Sequence, residues 1–449
     1  MGSLINSIFS SGSGLDVNAT VDQILYAERA PERLMQSQQS LLNVQSSLLN
    51  TLNGNLTTLK TKINTLKDIS GAINAKSATS SQPGILTASA DTSATAAVHS
   101  VSVQNLATTS TYYSNALANG DTTFGTGTFT LQIGTGTPSV VTVDSSNNTL
   151  NKLVSYINGQ TLGVTASIIN DANGARLLLS SVTSGAPGDI TVSGNTTGLT
   201  LSEGTAGVNA SLTVGGVPVS SSTNLVSSAI PGVTLNLISA AASTPVVVTI
   251  ASDTAKVRQA VDDFVSAYNA VIGAINSQFT YDTTTKTAGP LAGDSSLRVV
   301  QSSLLQDASY YITGNNGFVN LQTLGIEMQN DGTLTVDNTT ITDVLGNHFT
   351  EFKNFFQGLS PTGFAYNFGN DLMTLTDSTN GPLNVDLNSI KNTQNMLTDS
   401  IQKFEDRMTV RQKMLIDEYS QIDALLRTFP ATMAQIEAEL GTLNQTQGK

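Results

Sequence analysis

The sequence predicts an α+β multidomain protein whose terminal helices form a coiled-coil leg and whose centre holds inserted antiparallel β-rich domains. Three features predict it. Toward the C-terminus every seventh residue is apolar, from Ile401 through Met408, Leu415, Ile422, Phe429 and Ile436 to Leu443. Toward the N-terminus Leu42, Leu49, Leu52, Leu56, Leu59, Ile63, Leu66 and Ile73 recur at three-, four- and seven-residue steps. Both patterns keep one stripe of a helix facing a partner. Between them, residues 77–250 are rich in Ser, Thr, Gly and Val, which favours strands and turns.

The first stretch, 1–14, is rich in Ser, Gly and Asn, and is expected to be mobile until something binds it. Order is expected from Asp16, whose side chain can cap a short helix bearing Val17, Val21, Ile24 and Leu25. Pro31 then bends or ends that helix. Leu34, Leu41 and Leu48 extend an apolar edge that Gln38 and Gln45 interrupt, so this upper section is expected to be a weaker coil than the part from Leu49 onward.

From residue 77 the helix-forming charges vanish. Alternation at Val98–Val103 and Thr128–Ile133 predicts strands. Asn173-Gly174 is a hairpin signal, as is Val214-Gly215-Gly216-Val217. An amphipathic helix is expected over Leu150–Ile157, and strands over Thr234–Ile238 and Pro245–Ile250. Helical periodicity returns at Asp253, with Val257, Val261, Phe264, Tyr268, Ile272 and Ile275 on one face.

Asp294 or Ser295 can cap a helix carrying Leu297, Val300 and Leu304. Asn330-Asp331-Gly332 turns between two short strands, and helices follow near Phe349–Phe356 and Phe364–Leu375. A long helix is expected from about Asn388, with Phe404 and Leu425 in the companion seam and Arg411 among the residues that weaken it. Pro430 is expected to kink that helix or restart it. The boundaries expected are 1–40 for a mobile segment and short helix, and 41–76 for a coiled-coil helix pairing with the C-terminal part. Residues 77–205 and 206–252 make two β-rich inserts, 253–387 a mixed helical domain with a β-hairpin, and 388–449 the C-terminal coiled-coil helix and flexible tail.

Composition removes several function classes. A formal charge of −13 disfavours nucleic acid and acidic membrane surfaces, since phosphate binding needs concentrated Lys and Arg. Apolar runs are far shorter than the roughly 20 residues that span a bilayer, so no membrane insertion is expected. The stretch 1–25 has no Lys or Arg, and a conventional cleaved signal is not expected. There is no Cys, hence no disulfide framework and no thiolate ligand.

Candidate chemistry is sparse. His99 lies in a strand pattern and His348 opens a Phe-rich helix, with no motif around either. Asp262 and Asp263 are neighbours on a helix and point in different directions. Gly125-Thr126-Gly127 and Gly134-Thr135-Gly136 lack the strand–helix context and Lys of a phosphate cradle. No cofactor and no enzymatic activity are expected. The residues put forward as functional are instead interfacial: Leu42, Leu49, Leu52, Leu56, Leu59, Ile63 and Leu66 on one side, and Ile401, Phe404, Met408, Leu415, Ile422, Leu425, Phe429 and Ile436 on the other. Whether the stretch from Leu52 to Ile73 joins subunits or holds one subunit's ends together stays open, because one strand does not name its partner.

Several ordered segments resemble the bacterial flagellar filament cap family, the type 2 hook-associated proteins. They are Ser13-Gly14-Leu15-Asp16-Val17-Asn18, Ala27-Glu28-Arg29-Ala30-Pro31, Val261 to Asn269, Leu291 to Arg298, and Leu324 to Met328 followed by Asn330 to Leu334. Residues 141–179 also resemble a small β insert shared by several flagellar axial proteins. The resemblance implies a ring-shaped homo-oligomer at the distal tip of the filament, outside the cell, reached by the flagellar type III route without a cleaved signal. It implies flagellin, hook–filament junction proteins and an export chaperone as partners, and mechanical work: sheltering flagellin as it folds and inserts. Another flagellar axial subunit would share the paired ends and β centre. A surface adhesin would explain the Ser/Thr-rich strands but not the heptads.

Overall fold

The computed structural model describes residues 16–284, 286–358 and 363–446, with side chains described through residue 440. The expectations for residues 1–14 and the Ser13-Gly14-Leu15 segment lie outside these, as does the side chain of Leu443. The described residues form two compact units, one from the chain ends, up to Asn64 and from Val261 onward, and one from Thr65–Ala260.

Helix α1 (Val17–Glu28) begins at Asp16, whose carboxylate accepts from the Ala19 N–H, and it ends at Arg29. Helix α2 (Ala30–Lys67) follows at once, with Pro31 in its first turn, where a missing N–H costs nothing.

The Thr65–Ala260 unit holds β1 (Lys76–Ser80), β2 (Leu86–Ala90), β3 (Ala97–Asn105), β4 (Thr109–Ser114), β5 (Gly127–Ile133), β6 (Ser139–Val143), helix α3 (Leu150–Asn158), β7 (Val164–Asp171), β8 (Gly174–Ser184), β9 (Ile190–Ser193), β10 (Leu201–Thr205), β11 (Ala210–Val214), β12 (Val217–Ser221), β13 (Leu225–Ile230), β14 (Val233–Leu237) and β15 (Val246–Ser252). Two hydrophobic cores organise them. Sheets of order β1-β15-β3-β11-β12 and β13-β14-β2 bury Val101, Val103, Leu212, Val248, Leu86 and Leu235. Their outward neighbours Ser100, Ser102, Thr213 and Thr249 stay at the surface or half-buried, the period-2 pattern of one-sided burial. Sheets β10-β4-β8-β7 and β6-β5-β9, with α3, enclose Phe129, Leu131, Leu153, Ile157, Leu177 and Leu179.

This corrects the expected division at 205/206. Strands β1–β3 close with β11–β15, so the first core takes chain from both sides of the second. Strand order between distant segments leaves no local signature, which is why a composition-based boundary fell elsewhere.

Two hairpins repay a close look. Val214 pairs with Val217 across Gly215 and Gly216, whose φ values are 58° and 86°, the conformation a two-residue primed turn needs. In the other, Asp171 pairs with Gly174, so the turn is Ala172-Asn173 and not Asn173-Gly174. Gly174 is required for a different reason: a Cβ there would collide with the Leu117 carbonyl oxygen.

Helix α4 (Thr254–Phe279) is capped by Asp253, which accepts from the Lys256 N–H. Two-residue strands β16 (Tyr281–Asp282) and β17 (Thr287–Ala288) lead to α5 (Ser295–Ala308). The hairpin β18 (Ile326–Met328) and β19 (Leu334–Val336) precedes α6 (Asn338–Asn347), α7 (Phe349–Gln357), α8 (Phe364–Leu375) and α9 (Pro382–Thr446). Within the unit from Val261 onward, Phe264, Tyr268, Phe355, Phe356, Phe364 and Phe368 are fully buried. Phe264 and Phe368 meet edge to face at 5.4 Å. Helix α9 starts earlier than Asn388 and runs unbroken through Pro430. This differs from the expected restart: the Leu426 carbonyl loses its donor at Pro430, but the neighbourhood is exposed, so water can take its place.

Candidate functional site: the paired terminal helices

Helices α1 and α2 run antiparallel to α9. Gln39 donates to Thr398 Oγ1 at 2.9 Å, Gln394 to Asn43 Oδ1 at 2.7 Å, and Asn53 to Asn384 Oδ1 at 3.0 Å. Each step forward in α2 is matched by a step back in α9. Nearer the chain start, Arg411 reaches Glu28 at 3.2 Å. Hydrogen bonding to Glu28, with its charge, raises the Arg411 pKa further above its already high value.

The apolar residues of this seam come from α1. Val21, Leu25, Met408 and Leu415 form one buried cluster, with Val17, Ile24, Phe404, Ile416 and Tyr419 packed around it. An open groove of about 430 Å³ lies beside it, lined by Glu28, Phe404, Arg407, Met408, Arg411 and Met414 among others.

The interface residues put forward from sequence divide three ways. Leu49, Leu52, Leu56, Leu59, Ile63 and Leu66 are fully buried, and Leu42 is half-buried. Their helix is fixed to α4, where Asn55 donates to the Ala270 carbonyl and Lys62 pairs with Asp263 at 2.9 Å. The expected partner, the C-terminal heptad, is elsewhere. Because 39 lies opposite 398, position 401 falls opposite about residue 36, and later heptad positions fall opposite still earlier ones. Met408 and Leu415 are buried and Ile401 and Phe404 half-buried. Ile422, Leu425, Phe429 and Ile436 are exposed, Leu425 by 69%.

The sequence reading placed Val21 and Leu25 on a capped helix but did not see them as the partners of Met408 and Leu415. Their four-residue spacing was the available signal. It also took Arg411 as a flaw in the seam, whereas Glu28 pairs with it.

The exposed part of α9 carries Leu425, Leu426, Phe429, Met433, Ile436 and Leu440 with more than a third of each side chain open to solvent. A contiguous apolar stripe of this kind marks an interaction surface. Charged catalytic or metal-binding chemistry is not what it offers. Among the described residues no group of His, Cys, Asp and Glu could hold a metal ion, and no helix is long and apolar enough to cross a membrane. His348 lies against the Phe318 ring at 4.7 Å, and His99 sits in β3 opposite Val248.

The architecture and sequence resemble those of known proteins. The family described as Flagellar hook-associated protein 2 matches through its N-terminal part at residues 13–110 and its C-terminal part at 207–430, and the Flagellin hook IN motif matches 128–183. The B-type flagellar hook-associated protein 2 of Pseudomonas aeruginosa is 30% identical over 407 residues, covering 84% of this chain and 85% of its own. Flagellar hook-associated protein 2 of Escherichia coli K12 is 28% identical over 469 residues, covering 95% and 96%. The crystal structure of the D1-D2-D3 domains of the Escherichia coli flagellar cap protein superposes with a TM-score of 0.61 at 27% identity, covering 77% of this chain and 99% of that one. With matches running through the terminal helices and both β cores, the chain belongs to the flagellar hook-associated protein 2 family, the filament cap proteins of the bacterial flagellum.

Proposed function

We propose that this chain assembles with copies of itself into a ring at the distal tip of a flagellar filament, where it holds exported flagellin while each subunit folds and inserts. The observation that carries the reading is the apolar stripe of α9, Ile422 to Leu440, which has no described partner within the subunit. A buried Leu, Ile or Phe contributes roughly 1.5–3 kcal/mol. Several such residues left in water along one helix are a standing drive toward association. The stripe is interrupted by Thr428, Pro430 and Thr432, so its contacts are individually weak and exchangeable, as a cap that must shift while the filament lengthens requires.

In this reading the 388–449 segment is the assembling element, with hook–filament junction proteins and flagellin as its neighbours outside the cell. An export chaperone covers the same stripe before passage through the type III channel. The work is mechanical and uses no cofactor.

The test is Ile422→Asp with Leu425→Asp. Two charges in the stripe should abolish capping, leaving cells bald and their medium rich in unpolymerised flagellin, while the Thr65–Ala260 unit keeps its β spectrum. Filaments of normal length from that variant would refute the reading.

A further inference from the structure

We propose that Asn119-Gly120, in the loop between β4 and β5, is a self-modifying site at which the Gly120 nitrogen attacks the Asn119 carboxamide and the side chain loses its amide as ammonia. The proposal is independent of what the stripe on α9 binds.

Six Asn-Gly pairs occur in the chain: Asn53-Gly54, Asn119-Gly120, Asn158-Gly159, Asn173-Gly174, Asn316-Gly317 and Asn380-Gly381. Their local chemistry is the same, because glycine has no side chain to shield the attacking nitrogen. What separates them is how the fold holds the two reacting groups. Gly54 lies inside α2, where its N–H is part of the helix ladder. The N–H groups of Gly159, Gly317 and Gly381 donate to the carbonyls of Ser155, Gly314 and Asp377 at 3.1, 3.3 and 3.0 Å. Gly174 closes the β7–β8 hairpin opposite Asp171. Two of the side chains are tied as well: Asn158 exchanges bonds of 2.8 and 2.7 Å with the Ala166 backbone, and Asn316 donates to Glu351 Oε1 at 2.7 Å. Among the described residues the Gly120 N–H has no backbone acceptor.

The electrophile beside it is activated. Asn119 is exposed, and its Oδ1 accepts from the Asp121 N–H at 2.9 Å and from the Thr122 hydroxyl at 3.2 Å. A backbone N–H only donates, which fixes that atom as the oxygen. Negative charge gathers on this oxygen when a nitrogen adds to Cγ, and donors already aimed at it stabilise the charge as it develops. The nitrogen that has to leave, Nδ2, is held by none of these contacts.

The step balances without a cofactor. The bond formed is Gly120 N to Asn119 Cγ, the bond broken is Asn119 Cγ–Nδ2, and the proton displaced from Gly120 departs with the amide nitrogen as ammonia. Water then opens the succinimide. Cleavage between Cγ and the Gly120 nitrogen gives aspartate, and cleavage of the main-chain bond gives isoaspartate, with one more carbon in the backbone.

That carbon enters where the loop is fastened to α3. The Gly120 carbonyl accepts from the Asn151 N–H at 3.0 Å, and Asp121 Oδ1 accepts from Asn151 Nδ2 at 2.7 Å. Asn151 is in the first turn of α3, where an N–H has no partner inside the helix. Displacing the Gly120 carbonyl frees this donor and loosens the start of α3, above the buried Leu150 and Leu153.

The test ages the full chain at pH 8.5, in buffer and in urea strong enough to unfold it, and reads amide loss at each Asn-Gly pair by peptide mass spectrometry. In buffer Asn119 should react first, several-fold ahead of the other five. In urea the six should converge. Thr122→Val removes the hydroxyl donor and should slow Asn119 in buffer but not in urea, whereas Thr122→Ser keeps the donor and should keep the rate. Amide exchange at residues 151 and 152 should quicken as the wild type ages and stay constant in Asn119→Gln. Another Asn-Gly pair reacting first in the folded chain, or a Thr122→Val variant that loses the Asn119 amide as fast as wild type, would overturn the proposal.

Discussion

Leu56 and Leu425 are the same side chain on long helices, both in the apolar stripe the sequence displays, and they do opposite things. Leu56 is fully buried in the helical unit, while Leu425 is 69% exposed. Removing the first leaves a cavity among packed neighbours, and Leu56→Ala should cost about 2–5 kcal/mol. Leu425→Ala takes nothing from the folded subunit and should fall within about 0.5 kcal/mol of wild type. Urea unfolding of the two variants checks this, and equal losses would mean that Leu425 is covered in the free subunit. The periodicity of the sequence showed both as apolar helical positions and could not rank them. A three–four spacing is identical for a helix buried against its own chain and for one awaiting a partner. The missing information was the partner, which for Met408 and Leu415 is α1. Glu28 and Arg411 make the same point for charge, since 383 residues separate two groups in hydrogen-bonding contact.

At the scale of elements, the parts most legible in sequence were those whose cause is local. Asp16 and Asp294 cap their helices as their side-chain chemistry predicts, and Gly215-Gly216 turns β11 into β12. Gly216 has φ 86° with open space around its missing Cβ, so a substitution there meets backbone strain and no collision. Gly216→Val should therefore destabilise the hairpin by roughly 1–2 kcal/mol through the left-handed backbone alone. Faster amide exchange confined to residues 211–220, with the other core unchanged, is the expected signature. Helix α6 escaped the sequence reading because its run, Asn338–Asn347, is short and mostly polar, buries only Ile341, Val344 and Leu345, and is announced chiefly by the Asp337 cap on the Thr339 N–H. Long-range strand pairing was the least legible. Nothing within β3 or β15 says that Val246 lies across from Val101.

For the whole molecule, the chain order and the structural order differ. The helical unit is assembled from both ends of the chain, and the Thr65–Ala260 unit is formed entirely from the segment between them. An insertion of that size costs its host only slowly growing loop-closure entropy, provided the inserted part folds on its own core. It has two, one around Leu212 and Val248 and one around Leu177 and Phe129. The helical unit has its own buried aromatic group around Phe264 and Phe364. Separate cores imply separate cooperative transitions, because two-state behaviour belongs to a domain and not to a chain. Calorimetry of the full chain should then resolve more than one transition. Leu56→Ala should lower the transition of the helical unit alone, and Leu212→Ala that of the β unit alone, each by several degrees for a loss of about 2–5 kcal/mol. One transition shifted equally by both substitutions would show that the units unfold together, and that the insertion is stabilised by its host as much as by its own cores.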